Sequence, residues 1–125
     1  MPFRREIRPS LYSVELRTIH WEETVDWYRN VLGLRVLVRV VDDRYALIEA
    51  GETRLAIVAK EDSGEPSMRW SLGFEVENLE KVSYRLEAAG TEFAPPRGHP
   101  EGFQEIMTHD PDGNSVRLFS WPRQH

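Results

Sequence analysis

The strongest constraint on the fold is an internal repetition with a spacing of about 58 residues: Leu16-Arg17-Thr18 corresponds to Phe74-Glu75-Val76, and Leu55-Ala56-Ile57 to Val116-Arg117-Leu118. The first copy opens on Leu11 to Thr18, where Tyr12, Val14 and Leu16 alternate with Ser13, Glu15 and Arg17, the period of a half-buried strand. Trp21, Val25, Tyr28 and Leu32 then fall on one helical stripe. Glu22 and Glu23 suit the dipole of its first turn, His20 is read as its cap, and Gly33 ends it. Three β-type runs follow: Leu34 to Val41, Tyr45 to Ala50 and Thr53 to Lys60. From Trp70 the same order returns. Asn78 caps a helix striped by Leu79, Val82, Leu86 and Ala89, Thr91 to Ala94 begins a short strand, and a loop runs from Pro95 to Gly102. The chain closes on a hairpin from Phe103 to Ser120, turned at Asp110-Pro111-Asp112-Gly113-Asn114. There proline presets φ, glycine supplies positive φ, and Asp and Asn bond back to their own backbone. Two βαβββ units are the simplest reading.

Composition narrows what such a chain does. At 125 residues it suits one domain over 11–121, with units at 11–60 and 70–121, a polar linker at 61–69 and an arginine-rich arm at 1–10. The net charge of −5 argues against nucleic acid or an anionic membrane, because both require a basic face and the basic cluster is confined to Arg4, Arg5 and Arg8. With no cysteine there is no disulfide framework, thiolate nucleophile or thiolate metal site. The apolar runs are strand-sized, and no signal-peptide core follows Met1, so no membrane partner and a cytoplasmic location are expected.

The run Thr24-Val25-Asp26-Trp27-Tyr28-Arg29-Asn30-Val31-Leu32-Gly33-Leu34 in the first unit, and Asp110-Pro111-Asp112-Gly113-Asn114 near the end, resemble the vicinal oxygen chelate superfamily. That group holds glyoxalase I, extradiol dioxygenases, and fosfomycin- and bleomycin-resistance proteins. The resemblance covers roughly Leu11 to Trp121. It implies an α+β fold with curled mixed sheets around a concave cavity, a small-molecule ligand and a homodimer, the cup being built within one chain or across two. Metal-dependent members place His, Gln or Glu at four positions, which correspond here to Ser13, Ala56, Ser71 and Arg117. A divalent metal needs imidazole, carboxylate or thiolate donors. Alanine has none, serine hydroxyls are poor, and a guanidinium is a permanent cation. No metal and no cofactor are expected at these positions.

Arg117 sits mid-strand, opposite in face to Val116 and Leu118. As a ligand anchor it offers a planar fork of donors to an anionic or carbonyl-rich molecule; as structure it is neutralised by Glu75 or Glu15. The two readings are compatible. In glyoxalase-like relatives an arginine placed like Arg17 can contact a substrate carboxylate; the other reading of Arg17 is an ordinary surface arginine. Glu15 is a candidate general base, weakened by arginine neighbours that favour its ionised form. Trp21 and Trp27 read as core or subunit contacts, and Trp70, Phe103 and Phe119 as an aromatic wall or as packing. His99 and His109, with Glu101 or Glu105, are either an unusual metal pair or exposed loop and strand-end residues.

The expected cavity lining is Ser13, Glu15, Arg17, Ala56, Ser71, Glu75, Arg117 and Phe119. A metal-free protein that binds and sequesters a small molecule fits this set best. The alternatives are a lyase, dioxygenase or resistance transferase with non-standard metal ligands, a metal-independent enzyme using Glu or His, and an accessory dimer without chemistry.

Overall fold

The computed structural model describes residues 8–62, 65 and 69–122. Most of the expected arm, 1–7, and linker residues 63–64 and 66–68 lie outside the described residues. The elements are β1 (Ser13–Thr18), α1 (Trp21–Asn30), β2 (Arg35–Val40), β3 (Tyr45–Ala50) and β4 (Thr53–Ala59), then β5 (Ser71–Glu75), α2 (Leu79–Ala88), β6 (Arg97–Gly98), β7 (Gln104–His109) and β8 (Ser115–Ser120). They form two mixed four-stranded sheets, ordered β1-β4-β3-β2 and β5-β8-β7-β6. In each unit the helix carries the chain away from the first strand, a meander of three strands returns, and the last strand lies parallel beside the first. This is the α+β pair of βαβββ units that the repetition predicts. The second unit departs from the first at its second strand. Thr91 to Ala94, expected to begin a strand, forms only a bridge from Phe93 to Thr108, and the proline-rich stretch after it supplies the two-residue β6, because Pro95 and Pro96 have no N–H for a ladder.

Alternation sends one face of each sheet inward. Val14, Leu16 and Thr18 of β1, Leu55 and Ile57 of β4, Leu72 and Phe74 of β5, and Val116 and Leu118 of β8 face the helices, and one apolar cluster joins residues of both units. Trp21 donates from Nε1 to the Ile57 carbonyl at 2.8 Å, so its ring is buried with its polar atom satisfied. Asn78 accepts from the Lys81 N–H at 3.1 Å and caps α2 as expected. His20 does occupy the N-cap of α1, but its side chain makes no cap hydrogen bond; its N–H instead donates to Thr18 Oγ1 at 2.9 Å.

The two units are joined by α1. Tyr28, fully buried, donates its hydroxyl to Asp110 Oδ2 at 2.7 Å, and Trp27 donates from Nε1 to Thr91 Oγ1 at 3.1 Å. Asp110 also organises the hairpin turn, because its Oδ1 accepts from the N–H groups of Asp112 and Asn114 at 2.9 Å each. Gly113 takes φ +88°, where a side chain would be strained. The two runs that carried the family resemblance therefore meet in one hydrogen bond. Burial and then the Asp110 carboxylate raise the Tyr28 phenol well above its usual value of 10.0.

Candidate functional site

The hairpin turn sets the register of β7 on β8: His109 lies opposite Ser115, Met107 opposite Arg117 and Glu105 opposite Phe119. On the parallel side, Gly73 lies beside Arg117 and Glu75 beside Phe119. These residues share the face of the second sheet turned away from the helices. Ser71, Gly73 and Glu75 are exposed there, and Arg117 and Phe119 are half-buried.

Arg117 has a different partner from the ones expected. Neither Glu75 nor Glu15 neutralises it; it donates to Glu105 Oε2 at 2.5 Å. Glu15 is instead paired on its own strand with Arg17 at 2.9 Å, with both side chains well exposed. The choice follows from burial. Register puts Glu105 on β7 and Glu75 on β5 each two residues from Arg117's neighbour, within reach of a long side chain, while Glu15 stands on the other sheet. Glu105 is the enclosed carboxylate, its side chain 6 % exposed against 34 % for Arg117, whereas Glu75 lies exposed on the edge strand. Its pKa is held below the usual 4.5, chiefly by the hydrogen bond from Arg117, with burial opposing and the Arg117 charge, His99 and Arg97 assisting. Arg97, opposite Glu105 on β6, lies 3.7 Å from Oε1. Two guanidinium groups thus share one carboxylate and leave an excess of positive charge. Counting outward from the turn would have found Glu105, since odd-numbered residues of β7 share the face of Arg117.

An aromatic cluster adjoins this group. Phe103 lies 5.2 Å from both Phe119 and Trp121, centroid to centroid, and His99 stacks on Phe103 at 4.2 Å. Trp70 does not join it and is 79 % exposed at the start of β5. His99 and His109 are not brought together. The His99 N–H donates to the Phe103 carbonyl at one end of β7, whereas His109 ends that strand, roughly 20 Å away at about 3.3 Å per residue. His109 instead borders an open recess of about 780 Å³ with Glu87, Thr91, Glu92 and Phe93, beside the C-terminal end of α2. Among the described residues no three His, Asp or Glu side chains converge as a metal would require.

Ser13, Glu15 and Arg17 lie on the corresponding open face of the first sheet, all exposed, with Ala56 beside Glu15 in the parallel register and itself buried. The four positions that the resemblance implies for a metal, Ser13, Ala56, Ser71 and Arg117, present two hydroxyls, one methyl and a guanidinium already bound to a carboxylate. That donor set does not fit a divalent cation. What the second sheet offers chemically is a cation fixed by a buried carboxylate next to aromatic rings.

The profile of the Glyoxalase/Bleomycin resistance protein/Dioxygenase superfamily matches residues 10–118. The Bacillus subtilis (strain 168) protein YraH is 23 % identical over 123 residues, covering 87 % of this chain and 96 % of that protein. Among solved structures, TnmS3, an antibiotic binding protein from Streptomyces sp. CB03234, superposes with a TM-score of 0.77 at 20 % identity, covering 94 % of this chain and all of its own. Lactoylglutathione lyase from Agrobacterium tumefaciens gives 0.71 at 17 % identity, with 92 % and 96 % covered. A binder and a lyase share the architecture, so the fold leaves the chemistry open. The repeated βαβββ units, the Tyr28 to Asp110 junction and the profile match agree: this chain belongs to the Glyoxalase/Bleomycin resistance protein/Dioxygenase superfamily.

Proposed function

We propose that this chain is a metal-free small-molecule-binding protein that works as a homodimer, with Arg117 as the anchor of its cavity. The observation that carries the reading is the Arg117–Glu105 pair. A buried carboxylate holds the guanidinium in place by one donor, and the remaining donors of the fork stay available to a ligand oxygen beside Phe119. Superfamily members bind small molecules, and the antibiotic-binding neighbour is a member of this fold that does so. The lining expected of the cavity is Ser13, Glu15, Arg17 and Ala56 from one sheet facing Ser71, Glu75, Arg117 and Phe119 from another.

Support for a second copy comes from surface left open. β1 and β5 are edge strands whose outer sides pair with no other strand among the described residues, and Tyr12 and Trp70 stand exposed at 67 % and 79 % where those strands begin. A partner sheet laid along these edges covers the aromatics and faces one open sheet with another.

The test is a ligand-detected NMR screen of aromatic carboxylates and planar antibiotics against the unaltered protein and Arg117→Lys. The lysine keeps a charge for Glu105 and removes the planar fork. Hits that weaken at least tenfold in Arg117→Lys are the expected result, together with a dimer mass by light scattering. Retention of one equivalent of Zn, Ni, Mn or Fe(II) after dialysis, measured by elemental mass spectrometry, overturns the metal-free reading.

A further inference from the structure

Gly73 occupies the middle of β5, where glycine has no local reason to be. Its φ lies outside the left-handed region, and a Cβ built there meets only Phe119 Cε1, at 4.0 Å, an ordinary contact. Glycine in a strand interior costs stability and often marks a place where something outside the strand approaches the backbone. Here it lies directly beside Arg117 in the parallel register, on the open face, between exposed Ser71 and Glu75. The missing side chain leaves a recess floored by peptide backbone and walled by the edge of the Phe119 ring. From Ser71 to Glu75 it spans about 13 Å at roughly 3.3 Å per residue.

Resting on the reading of Arg117 as anchor, we infer that Gly73 is the floor of the ligand site and that the ligand is a flat aromatic acid, lying face-down on β5 with its anionic edge toward Arg117. Flatness follows from the geometry, since a backbone floor beside a ring edge admits a thin body and gives a bulky one no additional contact. The anionic edge follows from charge: Arg97 and Arg117 outnumber Glu105, while Glu75 at the far end disfavours a second anionic group there. The span accommodates two fused rings.

The experiment uses 2-naphthoate as the probe and neutral 2-naphthylmethanol as its control, by titration calorimetry on the full chain. Gly73→Leu and Gly73→Ala are compared with the unaltered protein and Arg117→Lys. The expected result is naphthoate binding at least tenfold tighter than the alcohol, a tenfold or greater loss in Gly73→Leu and a smaller loss in Gly73→Ala. The thermal midpoints of both glycine variants should stay unchanged or rise, because the added Cβ meets no clash and the rest of the leucine side chain leaves an exposed position on the open face. If Gly73→Leu binds naphthoate as the unaltered protein does while Arg117→Lys does not, the floor is overturned and the anchor stands. If Arg117→Lys binds normally and both glycine variants do not, the floor is supported and the anchor falls. A changed oligomeric mass in Gly73→Leu assigns the recess to a subunit contact and overturns the inference. Absence of naphthoate binding by the unaltered protein overturns the ligand class.

Discussion

Replacing Arg117 by methionine removes a cation while keeping most of its length, and the structure sets what that costs. Were both partners exposed, the loss would be at most about 1 kcal/mol. Were both buried, stranding one charge would cost about 3–5 kcal/mol. Glu105, the partner left behind, is the buried one, at 6 % exposure, but Arg97 remains 3.7 Å from it. The expectation therefore lies between these limits, at about 2 kcal/mol. For a chain of 125 residues this lowers the thermal midpoint by roughly 8 °C. Glu105→Gln alone strands only the better solvated guanidinium and costs about 1 kcal/mol or less. The double variant, Arg117→Met with Glu105→Gln, regains at least about 1 kcal/mol over Arg117→Met, because no carboxylate is then left unpaired.

Urea unfolding of the four proteins at pH 7 measures the coupling directly. The pH dependence is a second check. Glu105 titrates lower in the folded chain than in the unfolded one, so its stabilisation is present above pH 4.5 and is lost as the pH falls through the folded value. The stability gap between the unaltered protein and Arg117→Met should narrow as the pH falls below 4.5. Equal stabilities of Arg117→Met and the double variant, or a gap that does not narrow in acid, would refute the argument that Glu105 depends on Arg117.

Tyr28→Phe removes the hydroxyl that ties α1 to the hairpin turn and should cost about 1–2 kcal/mol in denaturant unfolding at pH 7. Because the folded phenol titrates well above 10.0, the unaltered protein should lose stability as the pH rises above about 10, and Tyr28→Phe should lack that part of the alkaline loss. Leu86→Ala, at a fully buried position on α2 in the common core, should cost about 2–5 kcal/mol by the same assay. Asn78→Ala, which deletes the cap of α2, should cost about 1 kcal/mol, and Asn78→Ser should recover most of it.

Local chemistry made the elements legible. The stripes of α1 and α2 and the alternation of β1, β5 and β8 appear where periodicity puts them, because the side chains that alternate in sequence are those the core must bury. The cap of α1 was misread for a local reason: His20 stands in the cap position, but the nearby Thr18 hydroxyl already takes its N–H, and its ring stays out. The proline-rich stretch that becomes β6 carries no alternating pattern and acquires its two paired residues only from the neighbouring β7.

The sequence by itself determined the two βαβββ units, the turn that joins β7 to β8, the superfamily, and the unsuitability of Ser13, Ala56, Ser71 and Arg117 as metal ligands. Each of these depends on residue type and spacing along one short stretch. Only the tertiary structure decided that Arg117 binds Glu105 rather than Glu15 or Glu75, that His99 and His109 stand at opposite ends of one strand, and that Tyr28 reaches Asp110 across 82 positions. The physical reason is that a side chain's partner is chosen by strand register and by which surfaces pack together. Neither is encoded in the period of any one element: Glu75 and Glu105 both lie two residues from Arg117's neighbours on adjoining strands, and the enclosed carboxylate of β7 takes the guanidinium rather than the exposed one on the edge strand.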